Sequence, residues 1–156
     1  MDDGLAEKRR LRFVRRPSPV LAEHRPLYKI AQLLMVLHMS SRAGKSTLAR
    51  LHLFNWALKR TDRVKKLVEA SQQKSLPMTA WGFDPALAIA IQFALAEELI
   101  HATSTGYQIA DKGIVFISEA LKDGEIFAEV RVFLNQIGKS ITELMVDNVA
   151  RGWETA

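Results

Sequence analysis

The sequence predicts a mainly α-helical chain that carries one small β-hairpin and ends in a long helix. Apolar residues recur every three or four positions over 27–38 and 48–58, as one face of a helix requires. Two short β-compatible runs, 100–103 and 107–110, flank a Ser-Thr-Gly turn whose glycine is expected to supply the positive φ of a tight hairpin. A last apolar repeat extends over 124–149, which is about 40 Å long as a single helix.

The length and composition of the chain restrict its class. Its 156 residues are enough for one domain with a full apolar core. The absence of cysteine excludes a disulfide framework and thiolate metal sites, and it favours a reducing, cytoplasmic setting. Because no apolar run approaches the ~20 residues that span a bilayer, and the N-terminus lacks an apolar signal region, we expect neither membrane insertion nor secretion.

The net charge of +5 hides a division between the two halves of the chain. Residues 1–74 hold 17 Lys and Arg against 6 Asp and Glu, whereas residues 75–156 hold 5 against 11. A positive field that is concentrated in one half favours separate partners for the two halves.

Residues 1–26 are predicted to form a basic N-terminal arm, since three prolines interrupt any helix there. One interpretation is a passive, solvated tail. Two others are functional: the arm lies in an acidic groove of a partner protein, or it neutralises nucleic-acid phosphates. The side chains predicted to make such contacts are Arg10, Arg12, Arg15 and Arg16.

Residues 27–122 are predicted to follow the order helix, helix, helix, loop, helix, hairpin, helix. Asp84 followed by Pro85 marks the start of the fourth helix, because aspartate caps a free backbone N–H and proline fits the first helical turn. The triplet Asp111, Lys112 and Gly113 opens the helix after the hairpin. A helix, a small hairpin and a further helix in this order resemble a winged-helix domain, with the hairpin as its wing.

The helix before the hairpin is unsuited to DNA. In winged-helix proteins this helix usually reads DNA with basic and amide side chains. Here no Lys or Arg occurs between Lys74 and Lys112, and the helix is apolar on every side. We therefore expect it to bind protein, through Ile89, Gln92 and Phe93.

Residues 123–156 are predicted to form one amphipathic helix, bent at Gly138. As a single helix it is longer than the small domain that it follows. Part of its apolar stripe is therefore expected to pack on another chain, through Phe133, Ile137 and Ile141. The alternative is that the helix folds back wholly onto its own domain.

One motif resembles a catalytic one, since Gly-Lys-Ser-Thr at 44–47 is also the end of a phosphate-binding P-loop. A P-loop needs an earlier glycine, where this chain has Met39, and a preceding strand, where a helix is predicted. A helix N-terminus capped near Ser46 or Thr47 is the favoured interpretation. Because Met39 replaces the P-loop glycine, we expect no ATP turnover. The four histidines show no metal-ligand spacing, so we also expect no catalytic residue, no metal and no cofactor.

A further resemblance covers about residues 25–122. The run RPLYKIAQLLMVLHMSSRAGKSTLARLHLFNWALKR, followed by the helix and hairpin, resembles the middle component of bacterial three-component ABC-ATPase systems. These systems are similar to the Lamassu group of antiphage defences. The resemblance implies a non-catalytic accessory subunit that links an SMC-like ABC ATPase to an effector subunit of the same system. The alternative function is a winged-helix transcription regulator that docks on DNA through the basic first half.

Neutralising the arm tests its functional interpretations. Replacing Arg10, Arg12, Arg15 and Arg16 together by Gln is expected to weaken binding to an acidic partner or to DNA. The affinity should also depend less on salt, since fewer charges are then paired. Binding measured across a salt series checks both effects. Unchanged affinity for partner and DNA alike would identify the arm as a passive tail.

Overall fold

Seven α-helices and three short strands are found in residues 26–154, which are the residues that this computed structural model describes. In chain order the elements are α1 (Pro26–Ser40), β1 (Lys45–Ser46), α2 (Leu48–Ala57), α3 (Thr61–Gln73), α4 (Pro85–Ala96), β2 (Ile100–Ala102), β3 (Tyr107–Ile109), α5 (Asp111–Ala120), α6 (Ala128–Ile137) and α7 (Glu143–Glu154). The predicted mainly helical class is confirmed. The predicted contact residues of the arm, Arg10, Arg12, Arg15 and Arg16, lie outside the described residues.

Helix α1 lies at the centre of the fold and contacts α2, α4, α5 and α6. Its residues 29–37 are all buried. Because this helix is apolar on most sides, several neighbouring helices can cover it and share one hydrophobic core.

The three strands form an antiparallel sheet in the order β1-β3-β2. The hairpin β2–β3 confirms the sequence prediction, with Ile100 opposite Ile109. Strand β1 is not predicted by the sequence, because Lys45 and Ser46 are too short a run to show alternation. It forms because it pairs with the backbone of β3 in an antiparallel arrangement.

Gly106 lies where the hairpin comes close to β1, and its lack of a side chain allows this close approach. The positive φ predicted there is wrong, since among the described residues the glycines with positive φ are Gly44 and Gly138. A Cβ on Gly106 would lie 2.1 Å from the carbonyl oxygen of Ser46. The glycine therefore allows the hairpin to approach β1, which any side chain would push away.

The prediction of one long C-terminal helix is wrong, because the chain forms two helices there, α6 and α7, separated by residues 138–142. Gly138 ends α6 with φ +55° and ψ −135°, a conformation that favours glycine. Helix α6 then packs on α1 and α3, and α7 packs on α2. The segment folds back onto its own domain instead of extending away from it.

Two residues predicted to bind a partner on this segment lie in the chain's own core. Ile137 and Ile141 are each 1% exposed, so they cannot contact another protein in this fold. Phe133 is half-buried. The prediction is wrong at Ile137 and Ile141 because an apolar stripe indicates a buried face without indicating which chain buries it.

Helix α7 is attached at both of its ends. At the start, the Glu143 carboxylate accepts hydrogen bonds from the backbone N–H of Thr47 at 3.1 Å and from the Thr47 hydroxyl at 2.8 Å. At the end, the Trp153 indole lies edge-on to that of Trp81, with 5.0 Å between the ring centroids. Thr47 also caps α2, which confirms the helix N-terminus predicted for the Gly-Lys-Ser-Thr motif.

A buried arginine of α2 connects the end of α1 with the segment before α7. Arg50 is 2% exposed and donates from Nε to the carbonyl oxygen of Ile141 at 2.7 Å and from Nη2 to that of Ser40. Its Nη1 donates to the hydroxyl of Ser41 at 2.8 Å. Burial lowers the pKa of Arg50 to about 10, against the attraction of the Glu143 carboxylate, so the side chain is a cation at neutral pH.

Removing this cation is expected to destabilise the whole fold. Arg50→Met keeps an unbranched side chain of smaller size and leaves the carbonyl groups of Ser40 and Ile141 without these donors. We expect the free energy of unfolding to fall by about 3 kcal/mol or more, as measured by urea denaturation. Arg42→Met changes an exposed arginine nearby and should leave stability almost unchanged. Equal losses in the two variants would contradict the structural role of Arg50.

Candidate protein interface

Helix α4 begins where the sequence predicts. The Asp84 side chain accepts a hydrogen bond from the backbone N–H of Ala86 at 3.0 Å, and Pro85 occupies the first turn. Among the 12 residues of the helix, Gln92 is the one with a polar side chain. The helix therefore presents apolar groups in every direction.

The described chain covers one side of α4 and leaves the other side open. The inner side is apolar and buried, and it packs on α1. The outer side is exposed along the length of the helix. We call this outer side the α4 strip, formed by Pro85, Ile89, Gln92, Phe93 and Ala96. About half of the surface of its two large apolar residues is exposed, since Ile89 is 53% exposed and Phe93 49% exposed.

The structure brings three of the predicted partner-binding residues together. Ile89, Gln92 and Phe93 are three and four positions apart, so they share one face of α4. The predicted residues on and after α6 are half-buried or buried, and they do not extend this exposed surface.

The strip differs from the other exposed apolar side chains of the described residues. Single exposed residues such as Val115 and Leu144 are common on protein surfaces and require no explanation. In the strip, two large apolar side chains lie on adjacent turns of one helix, with further apolar residues on both sides of them. Neighbouring exposed apolar side chains of this kind are common where a protein surface binds another molecule.

The two ends of α4 differ in charge. Glu97 and Glu98 follow the C-terminal end and are exposed. Before the N-terminal end, the Asp84 carboxylate pairs with two cations, Lys59 at 2.9 Å and Lys29 at 3.5 Å. The helix macrodipole is positive at the start of α4 and negative at its end. The two glutamates therefore add to the negative end, and the strip begins at the positive end of the macrodipole.

A buried polar network holds the start of α4 against α1 and α2. Lys29 is 2% exposed and donates to the side-chain oxygen of Asn55 at 2.7 Å, and Asn55 donates to Asp84 at 3.0 Å. Sequence reasoning missed this network, although a lysine inside an apolar helical stripe is a pattern that could have revealed it. The network determines the direction in which α4 presents its strip.

No protein-family model, curated protein or solved structure matches this chain. Within residues 26–154, no helix is long and apolar enough to cross a membrane. Across the same part of the chain, no group of three or more His, Asp or Glu side chains could hold a metal ion.

Two titratable groups beside the start of α4 have shifted pKa values. Burial by itself would raise the pKa of the Asp84 carboxyl, but hydrogen bonds from Asn55, Lys59 and the Ala86 N–H outweigh it and hold that pKa far below its usual range. Burial lowers the pKa of His52, against the attraction of Asp84 and together with the repulsion of Lys59. The Nδ1 atom of His52 accepts a hydrogen bond from the backbone N–H of Asp84 at 3.4 Å, which requires the neutral ring.

Both shifts make the stability of the fold depend on pH. Because folding depresses the pKa of His52, the unfolded state binds a proton first as the pH falls below about 6.5, and stability declines. A larger decline follows below about pH 4, where the Asp84 carboxyl of the unfolded chain is protonated. Urea denaturation across this range measures both declines.

The variant His52→Asn is the control for the first decline, because its side-chain oxygen can replace Nδ1 as an acceptor without titrating. It should abolish the decline that starts near pH 6.5 and keep the one near pH 4. The same decline near pH 6.5 in both proteins would show that another group causes it.

Proposed function

We propose that this chain is a non-catalytic accessory subunit that binds protein through the α4 strip. The observation that carries the proposal is the exposure of Ile89 and Phe93 on a helix whose inner side already packs in the core. In an assembly, such residues become the buried anchors that supply most of the binding energy. The absence of Lys and Arg from α4 favours protein over nucleic acid as the occupant.

The topology supports a winged-helix-like domain over residues 27–122. Strand β1 follows α1, three helices come next, and the hairpin β2–β3 joins β1 in one sheet before α5 begins. In this proposal β2 and β3 form the wing, and α4 has the place of the helix before it. Because α4 lacks cations, we infer that the domain uses this helix for protein contact.

The proposed partners are an SMC-like ABC ATPase and an effector subunit of the same antiphage defence system. This part of the proposal rests on the resemblance of residues 25–122 to the middle component of three-component, Lamassu-like ABC-ATPase systems. A linking subunit needs a surface for protein and no active site of its own. The α4 strip meets the first requirement. For the second, Thr47 of the P-loop-like motif is a helix cap whose hydroxyl is already bound to Glu143.

The alternative function is DNA binding through the basic half of the chain, and the exposed lysines of α3 are the feature of the described residues that favours it. Lys65 and Lys66 on this helix and Lys74 at its end are exposed. Asp62 and Glu69 are exposed on the same helix and weaken the field that phosphates would meet. The charge on α3 therefore supports DNA binding less than the strip supports protein binding.

The variant Gln92→Arg separates these two functions. In a protein interface the new cation is buried without a partner, and we expect at least about tenfold less ATPase to be recovered with the chain. On a DNA-reading helix the same cation adds a phosphate or guanine contact and strengthens DNA binding. Co-purification from the native operon with mass spectrometry measures the first effect, and a DNA titration measures the second.

Gln136→Arg is the matched control, because it makes the same change at an exposed glutamine of α6. It should leave co-purification unchanged. If a folded Gln92→Arg chain keeps its ATPase and gains sequence-selective DNA binding, the proposal is wrong and the transcription regulator is supported.

A further inference from the structure

We propose that the α4 strip binds the α4 strip of a second copy of this chain, with the two helices antiparallel across a two-fold axis. The inference rests on the protein-binding role proposed above and names a second copy as the occupant of the same surface. In this arrangement the ATPase is recovered by the paired chains, and Gln92→Arg reduces its recovery by separating them. In a two-fold dimer the same patch of both copies meets, so the patch must complement itself. The α4 strip complements itself in the placement of its apolar groups and in charge.

The apolar groups of the strip are distributed evenly about the middle of the helix. Ile89 and Phe93 lie on either side of the midpoint, and Pro85 and Ala96 lie at the two ends. An antiparallel second helix therefore places Phe93 of the second copy beside Ile89, and Ala96 of the second copy beside Pro85. Symmetry repeats both contacts, so all the large apolar groups of the strip become buried together.

Charge determines the direction of the second helix. The start of α4 is the positive end of the helix macrodipole, and the partly exposed Lys59 lies beside it, paired with the Asp84 carboxylate at 2.9 Å. The end of α4 is negative, because Glu97 and Glu98 follow it. Antiparallel helices place each negative end beside a positive one, whereas parallel helices would place like charges together.

The polar group of the strip fits the same arrangement. Gln92 lies near the middle of α4, so it comes close to the two-fold axis. Its amide can donate and accept a hydrogen bond, which allows the two copies of Gln92 to bond to each other. An arginine at this position would instead bring two cations together near the axis.

Sedimentation equilibrium of the purified chain tests the pairing. We expect a dimer, and we expect Phe93→Glu to raise its dissociation constant at least about tenfold, because a carboxylate is then buried in the contact. Val115→Glu is the control at an apolar residue of α5 that is 63% exposed, and it should leave the constant unchanged. A monomeric wild-type chain, or equal effects of the two substitutions, would overturn the proposal.

Single cysteines test the direction of the helices, because the chain has no cysteine of its own. Antiparallel helices bring position 89 of one copy close to position 93 of the other. An oxidised mixture of Ile89→Cys and Phe93→Cys should therefore form the mixed disulfide faster than either variant forms its own. Faster disulfide formation by Ile89→Cys alone would indicate parallel helices and overturn the proposal.

The pairing and the proposed function can fail separately. A monomeric chain that still recovers its ATPase, and loses it on Gln92→Arg, would overturn the pairing and leave the accessory function in place. If the wild-type chain is dimeric and Gln92→Arg leaves the recovery of the ATPase unchanged, the proposed function of the strip is overturned and the pairing is left in place.

Discussion

The buried guanidinium of Arg50 is the constraint on which most of the fold depends. A cation is tolerated away from water only where hydrogen-bond acceptors surround it. Here the acceptors come from the end of α1 at Ser40, from Ser41 just after it, and from Ile141 before α7. Satisfying one side chain therefore brings the C-terminal segment back onto the first helices, and Arg50 and Ile141 are 91 positions apart in the chain.

A second polar network acts near the other end of α2. There Asn55 connects Lys29 of α1 with Asp84 at the start of α4. Fully satisfied buried networks favour one packing arrangement over its alternatives. Since α1 already covers the inner side of α4, and the network holds the start of that helix, α4 cannot turn its outer side into the same core. The exposed strip is thus a consequence of how the core is built, and a second α4 would cover it without any rearrangement of that core.

The sequence by itself determined the features that depend on near neighbours. The start of α4 at Asp84 and Pro85 follows from capping, and the hairpin follows from two short runs around a turn. The surplus of apolar residues on α4 was also visible in the sequence, and it predicted the shared face of Ile89, Gln92 and Phe93. All of these depend on residues within one or two turns of each other, so local spacing is sufficient to predict them.

Only the tertiary structure decided the features that depend on distant groups. Strand β1 exists because β3 pairs with it, and Ile137 and Ile141 are buried because Gly138 lets the chain turn back. Arg50 and Lys29 are buried because their partners, 91 and 26 positions away, supply the hydrogen bonds that a cation requires. The physical reason is that an apolar stripe or a charge specifies what a side chain needs, whereas the packing of distant segments decides which group meets that need.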